Sequence, residues 1–289
     1  MTFRYYCLVI LLSVSLVGKV FAVPAKDTIY CTNEDKAIFE RCLERMIPEK
    51  SLPAGDLMVE TARFFLGIPY VAATLEQIPE ALVVNFRGLD CMTLVESTSA
   101  FVRTLQSESP TFAEYCYYLR SARYRNGEIE DYTDRLHYTT DWIYENQQTG
   151  WIKDVTKEIG GEPLDINLSF MSTHPGSYPQ LKDSPERIAI IAEKEKEINK
   201  RSYYYLPEDK IGLCADGIKN GDIICFVTSI KGLDISHVGI ACRVGSKLTF
   251  IHASSTAKKV IVSEESLESY TKRIKGNIGI MVLRLSEHH

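Results

Sequence analysis

From Asp222 to Leu285 the chain reads as five apolar runs, DIICFVTSI, SHVGIACRV, KLTFIHASS, KKVIVS and NIGIMVLRL, rich in β-branched residues and divided by short polar turns. Runs of that length and make-up are strands, and only a short helical pattern near Leu267 to Lys272 interrupts them. The second and third runs flank Gly245-Ser246. A two-residue hairpin there pairs Val244 with Lys247 and sets His252 opposite Gly239, whose missing side chain leaves space for an imidazole. His237 then lies on the same face, a diagonal neighbour of His252 at roughly 7–8 Å. A four-residue loop keeps that pairing; a three-residue loop would send the two imidazoles to opposite faces.

The first half carries the other period. NEDKAIFERCLERMI (33 to 47), AGDLMVETARFFLG (54 to 67, closing on Gly67), DCMTLVESTSAFVRTL (90 to about 105) and TFAEYCYYLRSARY (111 to 124) all place apolar residues at helical spacing. The short extended run ALVVNF precedes the third. Helices followed by a meander of antiparallel strands make an α+β domain. Between about 125 and 220 the pattern turns irregular and aromatic, with DYTDRLHYTTDWIYEN, SFMSTHPGSYPQL, a charged helix at SPERIAIIAEKEKEINKR and then YYYLPEDKI. That stretch reads as a large mixed insertion elaborating the core.

The opening MTFRYYCLVILLSVSLVGKVFA has an early Arg4, an apolar stretch from Cys7 to Val17 and a small residue before the cut. It reads as a signal peptide cleaved near Ala22, too short in its apolar part for a stable membrane span. The mature domain, 23 to 289, is thus expected in the periplasm or secreted, as a monomer. Cleavage removes Arg4 and Lys19 and no acid, so the formal charge moves from -5 to -7. Such a chain has no reason to seek nucleic acid. Seven cysteines remain, an odd number that leaves at least one free thiol or an intermolecular bridge. The lack of any CxxC pair argues against a structural zinc site or a redox pair. Cys225 and Cys242 sit in strand-like runs as small buried hydrophobes.

Cys91 is different, because it stands in the first turn of a helix that Asp90 caps. It shares a face with Leu94, Val95, Thr98, Val102 and Leu105, so its thiol points toward the protein. The positive end of the helix dipole and the free N–H groups favour a thiolate there. A cysteine nucleophile needs a base, and the adjacent-strand histidines supply one: Cys91 attacks, His237 moves the proton, His252 fixes the ring. Zinc on these three is disfavoured, since neither a fourth ligand nor a carboxylate to orient the imidazoles is evident; no metal or cofactor is expected. Asn85, in the loop before the helix, could donate to an oxyanion beside the Cys91 N–H, or simply serve a turn. Tyr70 could approach the thiol.

In order, GIPY, DC at a helix start, NGDIICF, SHVGI and FIHAS resemble the NlpC-like papain-fold cysteine peptidases of bacterial cell walls. The resemblance implies a papain-like fold, the nucleophile helix packed on a C-terminal antiparallel sheet or partial barrel, and the catalytic set Cys91, His237 and His252. Two departures stand out: Met92-Thr93 follow the cysteine where Ser-Gly is usual, and the interval from Cys91 to His237 is long. That interval, with VVNFRGLDCMTLVE, HYTTDW and FMSTHP, looks more like one branch, the N-acetylmuramoyl-L-alanine amidase-like proteins.

The branch implies an exported cysteine amidase that cuts between muramic acid and the first alanine of the stem peptide in muropeptides, through a thioester. In the insertion, Tyr138, Trp142 and Tyr178 could stack on sugars, and Arg135, His137 or His174 could bind polar groups of sugar or peptide; for each the alternative is a packed or surface residue of the insertion. The rival readings are a γ-D-glutamyl-diamino acid endopeptidase of the same fold and an inactive wall-binding module.

Overall fold

The computed structural model describes residues 28–286, so the signal-peptide expectation for residues 1–22 lies outside the described residues. The early helices begin on side chains that accept otherwise unpaired backbone N–H groups. Thr32 caps α1 (Asn33–Met46) in a reciprocal box with Asp35, and Thr111 caps α4 (Phe112–Arg123). Asp90 caps α3 (Cys91–Gln106), accepting from Thr93 N–H at 2.8 Å while Thr93 Oγ1 accepts from Asp90 N–H at 2.9 Å. Between α1 and α3 come α2 (Ala54–Phe64) and a short parallel pairing of β1 (Ile29–Tyr30) with β2 (Leu82–Val83). The helix expected to reach Gly67 ends at Phe64; Gly67 itself adopts a left-handed φ of 86°, as the chain leaves the helix.

Helix α3 runs through the middle of the helical layer, with every residue from Thr93 to Leu105 buried. Phe101 on this helix meets Phe39, Phe86 and Tyr115 at ring separations of 5.1, 5.6 and 4.9 Å, all four rings fully buried. Burying each such side chain contributes about 1.5–3 kcal/mol, so the cluster fixes the direction of α3. Its one interior acid, Glu96, is paired with Arg123 at 2.7 Å, and Arg123 also donates to Val83 O at 2.8 Å. The first turn of α3 is thereby held in a rigid position.

The expected strands all form: β6 (Ile223–Thr228), β7 (Ile235–Val244), β8 (Lys247–Ser254), β9 (Lys259–Val262) and β10 (Asn277–Leu285), with α8 (Leu267–Arg273) before the last. They belong to an eight-stranded antiparallel sheet ordered β4 (Glu162–Leu164), β5 (Tyr203–Pro207), β10, β6, β7, β8, β9, with β3 (Ile152–Asp154) also on β10. Side chains alternate across it. Cys225, Val238, Ile240 and Met281 face the helical layer, whereas Phe226, Ala241, Phe250 and Ile280 form a smaller cluster with Leu267 of α8.

The stretch from 125 to 220 does more than elaborate this core. Its strands β3 (Ile152–Asp154), β4 (Glu162–Leu164) and β5 (Tyr203–Pro207) extend the sheet past β10. Its helices are α5 (Thr139–Gln148), α6 (Phe170–Thr173) and α7 (Pro185–Ile198). Tyr138 gives α5 no side-chain cap; Asp234, just before β7, accepts from Thr140 N–H at 2.7 Å and Thr140 Oγ1 at 2.9 Å instead. A residue 94 positions away thus ties the middle segment to the strand that carries His237.

Candidate active site

The β7–β8 hairpin turns at Gly245-Ser246, with Gly245 at φ 60°, and its register pairs Val244 with Lys247 and Ile240 with Ile251. Continued by one step, that register sets Gly239 against His252. A Cβ added at Gly239 would lie 2.6 Å from Phe250 Cδ2 and 3.4 Å from His252 Cβ, so only glycine fits beside the imidazole. The β6–β7 register shifts between Phe226 and Val227: Val227 pairs with Ile235, and Phe226 with His237. Ser236 is the extra residue, its hydroxyl donating to Asn277 Oδ1 at 2.9 Å. This bulge, absent from the sequence reading, sets the direction of the His237 side chain.

His237 Nε2 lies 2.7 Å from His252 Nδ1, with the rings edge to face at 4.9 Å. The diagonal neighbours have closed into a direct hydrogen bond. Around them stand Phe226, 5.8 Å from the His237 ring, Phe250, 4.6 Å from the His252 ring, and Tyr270 of α8, 6.4 and 5.6 Å from the two. This apolar wall makes a charged imidazole costly. Burial holds His237 down at about 3, assisted by His252, and burial holds His252 at about 4.

Cys91 comes to the same place from the helical side. The backbone N–H groups of Val238, Met92 and Cys91 itself stand near its sulfur and favour its charged form, and Val238 directly follows His237. The paired β7–β8 register stops at Ile240–Ile251, which leaves the Val238 N–H beyond it near the sulfur. Tyr70 reaches the neighbourhood by two bridges, Pro69 to Lys259 and Tyr70 to Leu89, which carry GIPY alongside the loop before Cys91. Burial raises its phenol, and the nearby Cys91 and Asp90 add to that. Tyr270 also lies within the electrostatic reach of Cys91. No sequence pattern marked it, because α8 is short and precedes β10 in the chain.

One expectation reverses. The dipole was to favour the thiolate, yet burial pushes the Cys91 thiol up to about 12, with the Asp90 carboxylate adding to it and the three N–H groups only partly opposing. This environment favours the protonated thiol at rest.

The remaining candidates divide. Asn85 Oδ1 accepts from Arg87 N–H at 3.0 Å, closing a local turn. Tyr138 and Trp142 are 5% and 1% exposed, and so are core residues rather than sugar platforms. Tyr138 OH donates to Glu195 Oε1 at 2.6 Å. Arg135 is buried, donating to Glu76 at 2.9 Å and Glu80 at 3.2 Å, and His137 is half-buried, its Nε2 2.9 Å from Tyr132 O. The irregular middle was too strand-poor in sequence to reveal that it builds its own interior. Tyr178 is half-buried against the main core. His174 alone of the six is exposed, stacked on Phe170 at 4.3 Å. All seven cysteines among the described residues are free thiols, with Cys42, Cys116, Cys225 and Cys242 buried.

Among curated proteins none matches the chain. A crystal structure of an N-acetylmuramoyl-L-alanine amidase from Bacteroides uniformis is 40% identical, with a TM-score of 0.77, covering 81% of this chain and 99% of that one. A Bacteroides fragilis protein with the provisional name of xylanase is 40% identical at a TM-score of 0.74, over 78% of this chain and 99% of that one. The Legionella pneumophila protein LPG0564 shares the fold, at 22% identity and a TM-score of 0.63 over 87% and 96% of the two chains. The family described as AmiA-like, N-acetylmuramoyl-L-alanine amidase-like, matches residues 60–280, a span that holds Cys91, both histidines and the whole sheet up to the middle of β10. The chain belongs to that family.

Proposed function

We propose that this protein is an exported cysteine amidase that hydrolyses the amide between muramic acid and L-alanine in peptidoglycan fragments. The papain-like, NlpC-type ancestry inferred from the motifs is part of the same reading. The observation that carries it is the 2.7 Å contact of His237 Nε2 with His252 Nδ1, beside a sulfur near the N–H of Val238. Family membership supplies the substrate class, and the amidase named in Bacteroides uniformis supports the bond.

The hydrogen bond supports one proton inventory. Nε2 of His237 is engaged, which leaves Nδ1 for the thiol; His252 offers its Nδ1 lone pair and so keeps its own proton on Nε2. As sulfur attacks the lactyl carbonyl, the thiol proton passes to His237 Nδ1, and the new imidazolium is steadied by Nε2–H donation to His252. The tetrahedral oxyanion forms beside the Cys91 N–H and the Tyr70 hydroxyl. The C–N bond breaks, Nδ1–H protonates the departing L-alanine amine, and a thioester remains. Water, deprotonated by the same nitrogen, then releases the muramic acid carboxylate and restores the thiol. Because both groups are neutral at rest, proton transfer accompanies attack rather than preceding it.

A glycosidase at this site has less support. That chemistry needs two carboxyl groups facing each other across the sugar. The acid beside the sulfur, Asp90, is spent on capping α3.

Incubation with a disaccharide tetrapeptide muropeptide, with a Cys91→Ala protein in parallel, tests the function by product masses. Free tetrapeptide plus disaccharide, absent from the control, supports the amidase. Disaccharide dipeptide would move the cut to the γ-D-glutamyl bond, and an untouched substrate would favour the wall-binding module.

A further inference from the structure

At the far end of α3 the surface opens into a cavity of about 360 Å³ that no catalytic group reaches. Six of its lining side chains are Arg103, Tyr117, Tyr118, Ser121, Asn126 and Trp151. Twelve residues of helix separate Arg103 from Cys91, about 18 Å of rise, so the cavity is a place apart from the thiol. Its wall is aromatic and ordered. Tyr117 and Tyr118 meet at 5.4 Å and Tyr118 and Trp151 at 5.7 Å, while Tyr117 is left 62% exposed.

Beneath the indole lies a buried cation. Arg103 is 3% exposed, its guanidinium 5.4 Å from the Trp151 ring centre, and it donates to Trp151 O at 2.7 Å. Burying a guanidinium is costly, and here the arrangement immobilises one ring at the rim of a cavity. Trp151, itself 7% exposed, has an indole N–H with no acceptor in the protein. Asn126, which also lines the cavity, sits in the left-handed region at φ 55°, a conformation asparagine tolerates. The exposed ring of Tyr117, backed by Tyr118 and Trp151, and the small polar groups Ser121 and Asn126 within a cavity of ligand size are what a pyranose needs: a flat partner for its C–H face and polar partners for its rim.

We propose that this cavity is a saccharide-binding subsite for N-acetylhexosamine units of wall glycan, separate from the catalytic centre. The choice of an N-acetylated sugar rests on the amidase reading; the saccharide chemistry rests on the cavity itself.

The test uses the full mature chain carrying Cys91→Ala, titrated with N,N′-diacetylchitobiose and followed by tryptophan fluorescence and calorimetry. Trp151 lines the cavity, and the buried Trp142 serves as an invariant background. Saturable binding is expected, weakened about tenfold or more by Tyr117→Ala, whose exposed ring can be removed without unfolding the chain; tenfold corresponds to ~1.4 kcal/mol. The absence of saturable binding, an unaltered affinity in Tyr117→Ala, or displacement of the sugar by free stem peptide would overturn the proposal. The readout involves no turnover. An active wild type that binds no sugar sinks this subsite alone, and a sugar-binding but inactive wild type sinks the amidase alone.

Discussion

His237 and His252 have one nitrogen each committed to the other, and this decides what each can do. Removing the ring of His252 leaves His237 free to rotate and leaves its charged form unsupported. His252→Ala should lower kcat by about 10²–10⁴ with a smaller effect on KM, and steady-state kinetics on a muropeptide would measure it. The protonation states give a second expectation. With the thiol raised to about 12 and His237 held at about 3, the free protein carries no thiolate–imidazolium pair at neutral pH. Iodoacetamide should therefore label Cys91 slowly at pH 7 and faster as the pH rises into the alkaline range; a rate already at plateau below pH 7 would contradict this. Sequence anticipated the helix start at Cys91 and the pairing that brings His237 to His252, since helix caps and hairpin pairing are local rules. It misjudged the thiol, because desolvation depends on residues such as Tyr270 and Val238 that come together only through the fold.

At the scale of elements, two devices aim the imidazoles: the bulge at Ser236 in β7 and the close approach of β8 at Gly239. Gly239→Ala puts a methyl 2.6 Å from Phe250 Cδ2 and 3.0 Å from Ile251 O, so the ring that packs on His252 and a backbone carbonyl must both give way. A stability loss of about 1–3 kcal/mol is expected, with activity falling further than stability explains, as thermal melts and kcat measured side by side would show. Hairpin register was legible because the two-residue turn fixes it arithmetically. The bulge was not, since one extra residue in a strand leaves the apolar pattern of SHVGIACRV unchanged.

The whole molecule carries the acid sensitivity of three histidines that desolvation holds neutral, His252 buried and His137 and His237 half-buried. His137, His237 and His252 are held at about 3, 3 and 4 by burial, against an ordinary value near 6.5. The unfolded chain binds these protons as the pH drops below 6.5 while the folded chain does not, so stability is full above that value and declines toward pH 4. Each histidine contributes a slope of up to about 1.4 kcal/mol per pH unit. Melting temperatures between pH 7 and 4.5 should fall steeply, and His137→Gln should flatten the slope by about a third; a flat profile would contradict the buried neutral state. At this scale the α+β order was readable from Asp222 onward, but the share of the sheet built by residues 125–220 was not. Strands of three to five residues such as Ile152–Asp154 and Tyr203–Pro207 owe their form to pairing with β10, not to their own pattern.

The central claim is that Cys91 carries the muramoyl acyl group during turnover. Acid-quenched intact-mass measurement of the protein mixed with disaccharide tetrapeptide, followed by peptide mapping, reads this directly. The account predicts an adduct on Cys91 equal to the disaccharide acyl group without any amino acid, and no turnover in the Cys91→Ala protein. An adduct heavier by the L-alanyl-D-glutamyl dipeptide, an adduct on another residue, or turnover by Cys91→Ala at the wild-type rate would contradict it.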